Sequence, residues 1–205
     1  GFALALTLPS AVALMVIAPP LISVLFQRGA FDATDSANTA LVLAVYGAGL
    51  PAFVLQKVLQ PLFYAREDTR RPFHYALISM LVNLGVAVGL MPVLGFMAAA
   101  LGTTVAGWIM VLQLWHGSRA MGEAAQTDAR LRSRTPRILA ASAFMGGVLW
   151  AAASQMAPAL ATPGLRYGAL TGLVTLGIVC YFGAGAVIGA FRLSDFRTAL
   201  RRKKG

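Results

Sequence analysis

The sequence predicts an all-α, polytopic transmembrane bundle of six helices, and three observations carry that prediction. The composition is too apolar for a water-soluble domain: 58% of the 205 residues are hydrophobic, 12% are charged, and the mean hydropathy is +0.73. A soluble chain of this size needs more polar surface than that. The apolar residues fall in uncharged runs long enough to cross a bilayer, which takes about 20 helical residues. The basic residues alternate from one connection to the next, as expected when loops fall in turn on the two faces of a membrane.

The first uncharged run covers residues 1–27 and predicts a helix at about 3–26. The second, 36–56, predicts one at about 36–57. The run 72–118 is enough for two, at about 73–91 and 96–118, broken at Met91-Pro92-Val93-Leu94-Gly95, where proline and glycine punctuate the pattern. The last two are expected at about 136–157 and 166–191. The domain organisation follows: four transmembrane helices over 1–118, a basic loop at 119–135, two further helices over 136–192 and a basic tail at 193–205. The chain begins with Gly1 at once in an apolar run, without a signal-peptide pattern, and reads as a piece of a longer protein.

From the first connection to the tail, the Lys and Arg counts run 1, 4, 0, 5, 1 and 6, so one side of the membrane holds 2 and the other 15. The positive-inside rule then puts both ends of the chain in the cytoplasm. The net charge of +10 is spent in these blocks, facing anionic membrane lipids, rather than on nucleic acid. Cys180 is the single cysteine, so no disulfide within the chain and no paired-cysteine metal site exists. His74 and His116 lack metal-ligand spacing, and no catalytic constellation or phosphate loop is present. The chain does not read as an enzyme, and no cofactor is expected.

The polar residues inside the spans are few. Gln56, Lys57 and Gln60 fall within one turn near the end of the second helix, where a polar stripe can line a hydrated cavity or Lys57 can snorkel to the interface. Asn83 in the third helix and Thr103 and Thr104 in the fourth face each other across a short turn, so they are expected to meet, as an interhelical hydrogen bond or as part of a cation site. In the first connection, Thr34, Asp35 and Ser36 are expected to cap the second helix, and Arg28 suits the end of the first. Pro9, Pro19, Pro20 and Pro51 predict kinks. The pairs Gly85/Gly89, Gly168/Gly172 and Gly185/Gly189 predict close helix contact.

Residues 25–40, LFQRGAFDATDSANTA, are followed by Tyr46-x-x-Gly49-Leu50 and then by Lys57-x-x-x-Pro61-x-Phe63-Tyr64-Ala65-Arg66-x-Asp68-Thr69-x-x-Pro72. Over 25–72 the chain closely resembles the MurJ/MviN family of lipid II flippases, within the multidrug/oligosaccharidyl-lipid/polysaccharide (MOP) exporter superfamily. The resemblance implies a MATE-like fold, with these six helices as the ninth to fourteenth. The first four would belong to the second lobe and the last two would form the extra pair that takes the polyprenyl tail. It implies a transporter of the bacterial inner membrane with lipid II as substrate; coupling to the membrane potential or to a monovalent cation is open to such a transporter, and the sequence does not choose between them. Arg28, Lys57 and Arg66 stand at family-motif positions, Lys57 as a cavity-side charge and Arg28 as an outer-gate or fold-setting residue. The other readings are an exporter of another polyprenyl-linked sugar or a drug, and a membrane scaffold that recruits cell-wall synthesis enzymes through the basic loop.

Overall fold

The computed structural model describes residues 2–119, 121 and 129–189. The described residues are helical, with no strand. The helices are α1 (Phe2–Phe26), α2 (Ala33–Tyr64), α3 (Arg70–Leu94), α4 (Met97–Arg119), α5 (Ala129–Gln155), the short α6 (Ala157–Ala161) and α7 (Arg166–Ile188). All except α6 are long and apolar enough to cross a membrane. Residues 120 and 122–128 of the expected basic loop, and the tail at 193–205, lie outside the described residues.

Several helix ends differ from expectation, and proline is the reason. Pro92 lies inside α3, and the helix stops at Gly95, whose φ of +55° is open to glycine. α2 runs past Lys57 and through Pro61 to Tyr64, and α5 begins before Pro136. Proline removes one N–H and one ladder bond. A long helix held by its neighbours absorbs that loss. The cap of α2 also moves: Asp32 is the N-cap, its Oδ1 accepting from the N–H groups of Thr34 (2.7 Å) and Asp35 (2.9 Å). The Asp35 carboxylate closes the capping box on the Asp32 N–H. Thr34, Asp35 and Ser36 are therefore inside the helix rather than at its cap.

The main helix contacts form the series α3, α4, α2, α1, α5, α7, with α1 also touching α7. Where α1, α5 and α7 meet, Ala5, Ile17, Ile138, Met145, Leu149, Leu173 and Tyr181 form the largest apolar core. Pro9 has no N–H to give the Ala5 carbonyl four residues back. The Tyr181 hydroxyl of α7 donates to that carbonyl instead. Between α2 and α4, three carbonyls take donors from the facing helix: Gln56 Nε2 to Gly107 O (2.9 Å), Thr104 Oγ1 to Val45 O (3.0 Å) and Trp108 Nε1 to Ala48 O (3.0 Å). α3 leans on α4 and leaves Met80, Leu81, Leu84, Val88 and Met91 about 60% exposed, a face suited to lipid tails or another helix layer.

Close approach between α3 and α4 comes from Gly102, not from the expected glycine pairs. A Cβ on Gly102 would sit 2.6 Å from Asn83 Oδ1 and 2.8 Å from the Asn83 carbonyl. Gly85, Gly89 and Gly168 face open space, and Gly189 ends α7 in the left-handed region at φ +69°. Spacing alone does not tell a packed glycine from one facing outward.

Two outcomes follow. Tyr181→Phe should lower stability by about 1–3 kcal/mol, the cost of a buried unpaired carbonyl, read as thermal unfolding of the intact protein in detergent. Adding Pro9→Ala, which gives the Ala5 carbonyl a helical donor, should recover part of that loss, and an unchanged Tm in Tyr181→Phe would refute the role. Gly102→Ala should cost about 1–3 kcal/mol by overpacking. Gly85→Ala should be neutral or gain about 0.5–1 kcal/mol from helix propensity, so equal effects at both sites would disprove the packing assignment.

Candidate functional site

α2 packs against α1 on one side and α4 on another, which leaves a strip of its surface between them. Its α1 side is marked by Gly47, where a Cβ would lie 3.2 Å from Leu14 Cβ, and its α4 side by Gly49, where a Cβ would lie 3.0 Å from Thr104 Oγ1. Helical phase puts Tyr46, Leu50, Phe53, Lys57, Gln60 and Tyr64 in one row at alternating spacings of four and three, with the Phe53 ring turned onto Gly107 of α4. Tyr46 and Tyr64 are 39% and 51% exposed. Lys57 is exposed, Gln60 is half-buried, and neither has a hydrogen-bond partner or counter-ion among the described residues. The one ion pair there joins Arg71 to Asp68 at 3.3 Å. Pro61 also has no N–H for the Lys57 carbonyl. One turn of α2 thus presents an ammonium and a primary amide without partners among the described residues, and a carbonyl that lacks its usual i+4 helical donor.

Gln56 does not belong to this row. It turns toward α4 and is spent on the Gly107 carbonyl. Arg66 is likewise committed: its Nη2 donates at 2.6 Å to the carbonyl of Met121, just past α4. That bond closes a pocket of packing in which Phe63 is fully buried against Met110, Leu114 and Met121. Arg66 therefore holds the α2 and α4 ends together.

Asn83, Thr103 and Thr104 are sent in three directions. Asn83 packs on Gly102, Thr103 Oγ1 turns back to the Ala99 carbonyl at 3.0 Å, and Thr104 reaches Val45 of α2. They do not meet as one oxygen cluster. No group of three His, Cys, Asp or Glu that could hold a metal occurs among the described residues.

At the opposite end of α2, Arg28 leaves the end of α1 and donates through Nη2 to the hydroxyl of Tyr167 at the start of α7. Its guanidinium carbon lies 5.8 Å from the centre of that ring. Arg166 approaches the same ring, at 5.0 Å, and donates to the same hydroxyl at 3.2 Å. Tyr167 and Arg166 were not singled out from the sequence. Their partner is 139 residues from Tyr167, and the only local signal is an Arg-Tyr pair opening a helix.

The sequence model of the family described as Lipid II flippase MurJ matches residues 2–165. Proteins named "Probable lipid II flippase MurJ" from Rhizobium tropici and Rhizobium meliloti are each 39% identical over 99% and 98% of this chain. One from Vibrio cholerae is 31% identical over 95%. The chain spans only 37–38% of these relatives' own length. Among solved structures, "Lipid II flippase MurJ, inward closed conformation" superposes with a TM-score of 0.73 over 90% of this chain and 36% of that one, at 24% identity, which speaks for the fold. With the matched family model covering all but the last helix and tail, the chain belongs to the lipid II flippase MurJ family.

Proposed function

We propose that this chain forms one wall of a lipid II flippase, which moves the undecaprenyl-pyrophosphate-linked precursor from the inner to the outer leaflet by alternating access. The observation that carries the reading is the strip of α2 with Lys57 uncommitted beside Gln60, in a chain of this family. A charge inside a membrane helix is costly unless it faces water, a partner or a ligand. Lys57 has no protein partner among the described residues, and it lies about 10 Å from the end of α2 at 1.5 Å per residue. Its ammonium suits the pyrophosphate of the headgroup. Gln60, Tyr46 and Tyr64 supply hydrogen bonds and flat faces for sugars along the same row. Arg28 and Arg66 serve the fold, Arg28 by joining the α1–α2 turn to α7.

The charge asymmetry of the connections supports an orientation with the α1–α2 turn outside and the α2–α3 connection in the cytoplasm. Lys57 then sits toward the cytoplasmic side, where the headgroup is loaded. Each charge carried across the full potential is worth ~2.3 kcal/mol per 100 mV, so the membrane potential is the simplest drive. Chemistry on the substrate is not part of the reading.

In cells depleted of their own flippase, the intact protein should restore lipid II exposure at the outer leaflet. Lys57→Ala should cut that exposure about tenfold, ~1.4 kcal/mol, and Gln60→Ala a few-fold, at matched protein levels. Full exposure with Lys57→Ala would take the residue off the path. No exposure with the unaltered protein in place would shift the reading to an exporter of another lipid-linked sugar or to a scaffold. For orientation, a Cys180→Ala background with Ala30→Cys should react with a membrane-impermeant maleimide in intact cells, and one with Thr69→Cys should not. The reverse pattern would invert the topology.

A further inference from the structure

A cavity of about 530 Å³ opens where α1 ends, α2 begins and the chain passes from α6 into α7. Proline and alanine side chains make most of its wall. The polar residues lining it are Ser23, Gln27, Ser36 and Arg166, and no carboxylate lines it.

Two of these polar groups lack a partner. Ser36 is 5% exposed and its Oγ is buried without a hydrogen bond. Several serines and threonines in these helices, Thr7, Ser10, Thr171 and Thr175 among them, turn back to the carbonyl four residues earlier. Ser36 does not, although the Asp32 carbonyl is one turn away. Ser79 and Ser142, like Ser36, keep a buried Oγ without a partner, but only Ser36 lines this cavity beside Arg166. The Nε of Arg166 is likewise buried and unpaired. Leaving a guanidinium N–H and a hydroxyl dry and unpaired is unfavourable, so a site holding both is built for an acceptor.

The surrounding charge selects the acceptor. Arg166 and Arg28 converge on one neutral phenol, Tyr167, and neither is paired with a carboxylate. The nearest acids along the chain, Asp32 and Asp35, keep their charge but turn to the backbone N–H groups of the capping box and do not line the cavity. A planar guanidinium is a phosphate-binding device, and the volume suits a small-molecule group larger than a bare ion.

We propose that this cavity binds a phosphate group, presented by the headgroup of an anionic lipid. It is separate from the Lys57 strip: Ser36 and Lys57 lie about 30 Å apart along α2 at 1.5 Å per residue. Arg166 supplies the charge, Ser36 a directed hydrogen bond, and the proline and alanine wall receives the glycerol or sugar.

The test uses the intact protein in phosphatidylcholine nanodiscs, titrated with short-chain phosphatidylglycerol, with short-chain phosphatidylcholine and with inorganic phosphate, and read by native mass spectrometry. Phosphatidylglycerol should bind, about tenfold more weakly in Arg166→Gln and about threefold in Ser36→Ala. It should bind unchanged in Arg137→Gln, whose side chain reaches Gly189 elsewhere. Inorganic phosphate binding with the same dependence on Arg166, while phosphatidylglycerol does not bind, would keep the phosphate site and overturn the lipid as its source. Affinities that change in neither Arg166→Gln nor Ser36→Ala would overturn the site. If Arg166→Gln fails to fold, Ser36→Ala decides alone, since it removes one oxygen and no packing volume.

Discussion

A backbone carbonyl cannot be left bare in hydrocarbon, and the rest of this structure depends on how that constraint is met. In a bilayer no water replaces a missing helical donor. α1 carries Pro9, Pro19 and Pro20, and each removes such a donor. At Pro9 the replacement is the Tyr181 hydroxyl, which brings α7 onto α1 where the two share a core with α5. The α2–α4 contact meets the converse need, since the polar side chains of Gln56, Thr104 and Trp108 find acceptors on carbonyls of the facing helix. These helices have no water-driven reason to associate within lipid, so shared carbonyls and small-residue contacts take that role.

The same economy sorts the polar residues into those that build and those left free. Gln56, Thr104, Arg66 and Arg28 are each spent on a partner in a distant part of the chain. Lys57 and Gln60 are not. Both lie on a row of α2 in which Phe53 packs against Gly107 of α4 while Lys57 itself is exposed. The long α2 joins two different regions: a lysine without a partner among the described residues toward one end, and a two-guanidinium cluster beside a cavity at the other.

Much of the architecture was legible in the sequence. The six spans follow from uncharged runs, because hydrocarbon tolerates little else. The family was legible in 25–72, where a turn, a capped helix start and a Lys-to-Pro stretch recur in order. Helix ends were less legible: the charge at Lys57 and the proline at Pro92 suggested stops, yet α2 runs on to Tyr64 and α3 to Leu94, since neighbouring helices hold the segments in place. Of the expected glycine pairs, Gly185 is buried, whereas Gly85, Gly89 and Gly168 face open space, for a related reason. Gly85 and Gly102 look alike in sequence, and only the position of Asn83 across the α3–α4 contact tells them apart.

By itself, then, the sequence determined the class, the number of spans, the charge asymmetry and the stretch of α2 that bears Lys57, because these depend on local composition and periodicity. The tertiary structure decided which polar residues are spent and which are free. It turned Gln56 away from Lys57, separated Asn83, Thr103 and Thr104, and joined Arg28 to Tyr167 across most of the chain. Those outcomes depend on rotation of each helix about its own axis and on which helices are neighbours. Rotation and neighbour choice are settled by interhelical packing and by hydrogen bonds between distant residues, to which no local pattern is sensitive.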